Sequence, residues 1–405
     1  MIPCRQTGAD SMTHDTHTGF GGLTMPDGAR ADIAVADGRI AAILPAGMLP
    51  DATDMTGYVA LPPLVEAHIH LDKTLLGLPF QSHLPGATVA DRIAQEKSLR
   101  ASLPLSAFER GGALVRQVAG YGTQAMRSHV DIDGDLGLTG LEDLLKLRES
   151  VADLAEIQIV AFPQNGILRD APVADLLAEA LANGADLIGG LDPAGIDRDV
   201  AGHLDVVFGL ADRFGVGVDI HLHDAGELGL FELADIAKRT EALGLQGKVA
   251  VSHAFALGSG LPGVGAVVEA LAKARVSIVT NGPNRMVAMP PVAMLRKAGV
   301  AVVAGSDNIR DAWSPHGDGD MLRRVGLIAY MQDFRDDSDL EVALSMATSA
   351  GARLLDLSDY GLSEGARADM LLVRASCVAE AVAGASPDRV SVRGGRVIAR
   401  DCKLV

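Results

Sequence analysis

Two histidines separated by one residue, His68 and His70, close a mostly apolar run that begins at Val59. In an extended strand the side chains at i and i+2 share a face, so both imidazoles can turn to one metal ion about 2 Å from each. Alone, such a pair is equally well two polar residues where a strand meets a loop. The remaining histidines and aspartates decide the matter. The ends of successive apolar runs carry His129 with Asp131, Gln164, Asp192, His221 with His223 and Asp224, His253, and Asp307. A barrel interior is ordinarily filled by Val, Ile and Leu, so imidazoles and carboxylates at so many strand ends mark a converging polar site. His68, His70, His221 and Asp307 together offer three imidazoles and a carboxylate, a donor set suited to zinc or iron(II). A metal so held lowers the pKa of a bound water towards ~7 and yields hydroxide at neutral pH. The run from Ala185 to Asp192 contains no lysine to bridge a second ion, so one divalent metal ion is expected.

These residues need a scaffold that presents strand ends to one place. From Val59 to about Ala350, short β-branched runs alternate with longer helical patterns. Eight strands are expected, at 59–71, 124–132, 157–162, 186–190, 216–221, 249–254, 277–280 and 300–304, with helices such as 173–183, 204–214, 230–243 and 264–275 between them. Eight βα units predict an α/β fold, a (β/α)8 TIM-like barrel whose active site lies where the strands end. An open doubly wound sheet is the alternative, because alternation does not reveal closure. On either side the texture is β. Ala31 to Val35 and Arg39 to Ile43 flank an Asp37-Gly38 turn, and Asp369 to Val373, Val390 to Gly394 and Arg396 to Ala399 follow the barrel. The division expected is 1–58 and 351–405 as two parts of one small β-sandwich domain formed by both chain ends, around a barrel at 59–350.

The 405 residues carry a formal charge of −17, which repels phosphate backbones and anionic lipid and argues against nucleic-acid and membrane partners. Cys4, Cys377 and Cys402 form no CxxC pair, as suits a reducing cytoplasm. Met1 to Phe20 is polar and lacks the apolar core of a signal peptide. A cytoplasmic homo-oligomer is the expected setting. Gly258-Ser-Gly-Leu-Pro-Gly263 matches GxGxxG formally, but Pro262 stiffens it and no acidic residue ends the next strand to hold a ribose. The absence of CxxC also excludes the nucleoside-deaminase type of zinc site. Lys73 and Lys97 are read as solvated side chains near the mouth of the site.

The run Val65-Glu-Ala-His-Ile-His-Leu-Asp72, with Ser128-His-Val-Asp131, Ile159-Val-Ala-Phe-Pro-Gln-Asn-Gly166, Val251-Ser-His253, Gly305-Ser-Asp307 and Trp313-Ser-Pro315, resembles the amidohydrolase superfamily in its cytosine deaminase-like branch. Most of these motifs also resemble the N-isopropylammelide isopropylaminohydrolases. The resemblance runs from about Val59 to Val397 and includes Asp359-Tyr-Gly361 and Val390-Ser-Val-Arg-Gly-Gly395. It implies that His68, His70, His221 and Asp307 hold the metal, and that Asp307 also takes a proton from the attacking water. It further implies that His253 polarises the developing oxyanion, that Gln164 hydrogen-bonds the amide-like edge of a ring, and that Trp313 walls the pocket.

Three positions depart from the pattern. Asp224 stands where the family has a glutamate as general acid; one methylene shorter, it reaches about 1.5 Å less far than glutamate, enough to disturb a proton transfer that needs a contact of ~2.6–3.2 Å. Either the substrate sits closer, or Glu227 or His223 shares the work. His223 and Asn308 replace carboxylates and are expected to touch substrate, which argues for a ring other than cytosine itself. The activity implied is a hydrolytic deaminase removing an exocyclic amino or alkylamino group from a cytosine-like pyrimidine or a triazine. Opening of a cyclic amide, or metal binding without catalysis, are the alternatives.

Overall fold

Eight parallel strands, hydrogen-bonded in chain order, form the centre of the molecule: Leu64–Ile69, Thr123–Asp131, Glu156–Phe162, Leu187–Leu191, Gly217–Leu222, Val249–His253, Ser277–Thr280 and Val302–Ala304. The computed structural model describes residues 19–83, 88–283 and 288–405. All but two of the N-terminal residues read for a signal peptide lie outside that range. The cylinder comes together where the Asp307 amide donates to the His68 carbonyl at 2.8 Å, just beyond the eighth strand, and Ile69 bridges Asp307 there. The fold is therefore the barrel and not the open sheet. Its strands are buried on both faces, all nine residues of Thr123–Asp131 included, as parallel strands covered by helices must be.

The helices present one apolar face to this barrel. Val200–Phe214 is representative: the Asp199 side chain accepts from the Gly202 amide at its start, and Gly215, at φ 69°, ends it in the left-handed region that glycine adopts without strain. Inside the barrel the packing is small and mixed. Ala67, Ala250, Val279 and Val303 cluster beside a buried ion pair between Arg127 and Asp219 at 2.8 Å.

The run expected as one strand over 59–71 is two strands. Tyr58–Leu61 pairs antiparallel with Met370–Arg374, and only Leu64–Ile69 enters the barrel. Pro62 and Pro63 stand between them, and proline cannot donate to a ladder. Tyr58–Leu61 thereby joins the chain ends. Gly19–Thr24, Arg30–Ala36, Arg39–Pro45 and Thr53–Asp54 lie on one side of it, and Met370–Arg374, Arg389–Arg393, Arg396–Arg400 and Lys403–Leu404 on the other, all in one hydrogen-bonded nine-stranded sheet. Asp37 and Gly38 have φ of 52° and 73°, the positive pair that a two-residue hairpin turn demands. Among the described residues no helix is long and apolar enough to cross a membrane.

Candidate active site

The first, fifth and eighth strands bring His68, His70, His221 and Asp307 to one point at the strand ends. His68 Nε2 and His70 Nε2 stand 3.4 and 3.3 Å from Asp307 Oδ1, and His221 Nε2 is 3.3 Å from His70 Nε2. Four donors set tetrahedrally about 2.0–2.1 Å from a central ion are about 3.3–3.4 Å apart, so these side chains match the edges of a small-cation cage. Burial holds His70 and His221 below the ordinary imidazole range and thus neutral, which is the ligating form. His68 Nε2, buried, has no hydrogen-bond partner among the described residues. The donor set fits a divalent cation.

A second layer fixes His68. Its Nδ1 lies 2.8 Å from Ser252 Oγ, and that hydroxyl lies 3.0 Å from Asp219 Oδ1. Ion-paired Asp219 only accepts, so the single hydroxyl proton goes to it and Ser252 must accept from His68 Nδ1–H. The Nε2 lone pair is left for the cation. Ser252→Ala should therefore weaken metal affinity about 10- to 100-fold with little change in fold, as measured by competition with a chromogenic chelator.

Backbone strain accumulates at the same rim. His253, Asp307 and Asp192 adopt φ of 71°, 62° and 37°, each costing about 1–3 kcal/mol in a non-glycine residue. Gly305 is required by a close approach: a Cβ there would lie 2.6 Å from His68 Cβ. Asp307 Oδ2 is held by Asn281 Nδ2 at 2.8 Å. Burial would raise the Asp307 carboxyl, but the His68 and His70 imidazoles beside it outweigh that and hold it well below the usual range. His253 is buried with both ring nitrogens unpartnered among the described residues, and its ring stacks on His223 at 4.3 Å. Burial keeps it neutral.

His223 is turned by Asp192, whose Oδ2 is 2.9 Å from its Nδ1. Burial opposes the imidazolium, yet Asp192 raises the His223 pKa overall. Asp224 accepts from the Gly195 amide at 2.8 Å. Glu227 is exposed in the first turn of the helix Gly226–Ala242, whereas Glu232 on the next turn is fully buried. The sequence reading had singled out the exposed residue and passed over the buried one.

The opposite wall centres on Lys73, which is buried and not solvated as expected. Its ammonium contacts Gln164 Oε1 and lies 2.9 Å from Asp131 and 3.4 Å from Glu96. Burial alone would discharge it, but Asp131 and Glu96 hold it protonated. Glu96 accepts from Trp313 Nε1 at 2.6 Å, so the tryptophan is fixed by a helix distant in sequence. Arg100 supports Asp131 and Asp133 at 3.4 and 3.0 Å. Lys97 is at the surface, paired with Asp135 at 2.8 Å. His223, Asp307, Asn308 and Trp313 share the lining of a cleft of about 880 Å³. Within it, Asn308 Nδ2 is bonded to Asp311 Oδ2 at 2.6 Å.

Behind the first strand, Glu66 Oε1 accepts from the His68 and Ser306 amides at 3.1 and 2.8 Å, tying the first strand to the segment before Asp307. Glu66 preceded the histidines in the motif without drawing attention, because a carboxylate in an apolar run has no visible partner until the barrel closes. His129, also buried, packs 4.2 Å from the His68 ring with both nitrogens unpartnered among the described residues.

A model of the amidohydrolase family matches residues 113–399. Among solved structures, N-isopropylammelide isopropylaminohydrolase from Burkholderia multivorans superposes with a TM-score of 0.90 at 43% identity, over 96% of this chain and 99% of that one. The 5-methylcytosine deaminase of Klebsiella pneumoniae, with phosphonocytosine bound, gives 0.84 at 28% identity over 94% and 98%. The pterin deaminase of Rhizobium rhizogenes is 30% identical over 95% of this chain and 91% of its own length. With a family model covering most of the barrel and a relative of matching length at this identity, the chain belongs to the amidohydrolase family, enzymes of carbon–nitrogen bond hydrolysis.

Proposed function

We propose that the protein is a hydrolytic deaminase that removes an exocyclic amino or alkylamino group from a small nitrogen heterocycle bearing an oxo group, a hydroxylated aminotriazine or an aminopyrimidinone. The observation that carries this is the convergence of the donor atoms of His68, His70, His221 and Asp307 on one point beside a wall built to meet a ring edge. One divalent cation, zinc or iron(II), held by those four would supply a water acidic enough to attack at neutral pH.

The chain's own residues do the rest. Asp307 Oδ2, oriented by Asn281, takes a proton as the water adds to the amidine-like carbon. His253 stands neutral beside that carbon and stabilises the oxygen as charge develops. Asp224 delivers a proton to the adjacent ring nitrogen, and the carbon–nitrogen bond then breaks with the amine departing protonated. Ammonium only donates, so the Lys73 contact must be to the Gln164 oxygen. Gln164 therefore turns its Nε2 donors to the substrate, which selects an acceptor there: a ring carbonyl. Trp313, anchored by Glu96, walls the ring. The relatives act, by their names, on isopropylammelide, 5-methylcytosine and pterin, all nitrogen heterocycles.

Lys73→Met frees the Gln164 amide to invert and should raise KM for the oxo-ring substrate about 10-fold or more, as losing a hydrogen bond fixed by a charge costs about 1.5–3 kcal/mol. Steady-state kinetics across pH 6–8 would show it as an effect on KM larger than on kcat. The test of the function itself is metal-replete protein incubated with aminopyrimidines, hydroxylated aminotriazines and pterins, assayed for released ammonia and alkylamine. Amine release with an oxo-ring product is expected. Ring opening without amine release, or no turnover of any of the three classes, would overturn the reading.

A further inference from the structure

Glu232 is fully buried, and its only protein donor among the described residues is the Ala194 amide, 2.9 Å from Oε1. Its Oε2 meets no donor among the described residues. The next amide along, that of Gly195, donates to Asp224 Oδ2 at 2.8 Å, so consecutive amides hold the Glu232 and Asp224 carboxyls side by side. Two ionised carboxylates only accept and repel each other at that range, so the contact requires a proton between them. Among the described residues no lysine or arginine pairs with either carboxyl. The charged groups facing it are Asp192, at the end of the fourth strand, and His223, to which Asp192 is already bonded. Glu227, on the same helix as Glu232, is exposed. The fit around Asp224 is close: a Cβ at Gly195 would lie 2.6 Å from its Oδ1, and one at Gly229 2.0 Å from its backbone oxygen.

We propose that Glu232 is the positioning residue for Asp224, the two carboxyls sharing a single proton that Asp224 passes to the substrate ring nitrogen. This rests on the deaminase reading above. It also accounts for the aspartate: a side chain one methylene shorter than glutamate is backed by a second carboxyl that holds it forward and keeps it charged with a proton. The balance closes. The consumed water releases two protons, one refilling the pair after its proton has gone to the ring nitrogen and the other leaving on the amine. Burial, with Asp224 and Asp192 adjacent, pushes Glu232 up to about 8, so the pair is protonated at neutral pH.

The test uses metal-loaded full-length protein, with Glu232→Gln and the exchange variant Asp224→Glu/Glu232→Asp. In the infrared at pH 7, the wild-type minus Glu232→Gln difference should show the loss of one protonated-carboxyl band, a readout that needs no substrate. Where turnover is found, wild-type kcat/KM should fall above about pH 8. Glu232→Gln should lose that limb, with kcat down about 10- to 100-fold and KM changed by less than about threefold. The exchange variant, which keeps both carboxyls, should regain most of the loss and the alkaline limb. An unchanged infrared band, or a Gln variant with wild-type kcat and pH profile, overturns the proposal. Absence of amine release by wild-type protein with the infrared band present would instead overturn the deaminase reading and leave the shared proton standing.

Discussion

Asp307→Asn should fold as the wild type does and lose turnover by about 10⁴-fold or more, the upper end of what removal of a general base costs. The two oxygens of Asp307 have separate duties. Oδ1 faces His68 and His70 Nε2, and Oδ2 accepts from Asn281. An asparagine that keeps its oxygen toward the histidines retains a weaker cation ligand but places its amide against Asn281. The Asn281 Oδ1, buried without a partner among the described residues, can accept that amide after the Asn281 side chain inverts. The fold is thus relieved, while the negative charge and the proton acceptor are gone. The expected pattern is a thermal midpoint within a few degrees of wild type, metal content reduced but not abolished, and kcat near background. Retention of more than a tenth of wild-type kcat with metal present would remove Asp307 from its role as base. His68→Ala, by contrast, should lose bound metal outright, as measured by elemental analysis after dialysis.

Arg389→Met should be the most damaging substitution far from the cleft. Arg389 is 1% exposed in side chain and pairs with Asp320, 2% exposed, through two bonds of 2.9 and 2.7 Å. Its remaining donors go to the carbonyls of Ser386, Tyr121 and Ala385. Asp320 caps the helix Met321–Met331, so this one side chain ties the terminal sheet to a barrel helix whose start borders the cleft. Methionine fills much of the volume but leaves the Asp320 carboxylate buried without its cation, which costs about 3–5 kcal/mol. Denaturant unfolding should show that loss at an unchanged slope. A change below about 1 kcal/mol would mean that Asp320 finds another cation, for which Arg323, at 3.4 Å but 60% exposed, is the neighbour at hand.

Strand ends, helix rhythm and the terminal β texture were legible because period-2 and period-3.6 burial writes itself into one stretch of chain. The same locality made His68, His70, His221, His253 and Asp307 stand out, since they stand at or just beyond the ends of four separate apolar strands. One boundary was misread. The apolar run through Leu61 and Leu64 continues across two strands because both are buried, and only Pro62 and Pro63 record the break. The wall around Lys73 was not legible at all. Lys73 meets Glu96, Asp131 and Gln164, and Trp313 meets Glu96, across loops and a helix whose relative placement no local pattern encodes. Glu232 was likewise one acidic residue among several on an amphipathic helix.

The sequence by itself determined the alternation of strands and helices and which polar residues stand at the strand ends, because hydrophobic periodicity dictates which face of each element is buried and therefore which polar residues are left at its tip. The tertiary structure alone decided which charged side chains meet: Lys73 with Gln164, Ser252 between His68 and Asp219, and Glu232 against Asp224. Those contacts depend on where separate elements pack, and the cost of burying a charge or a lone carboxyl is settled only by the partner that arrives from elsewhere in the chain.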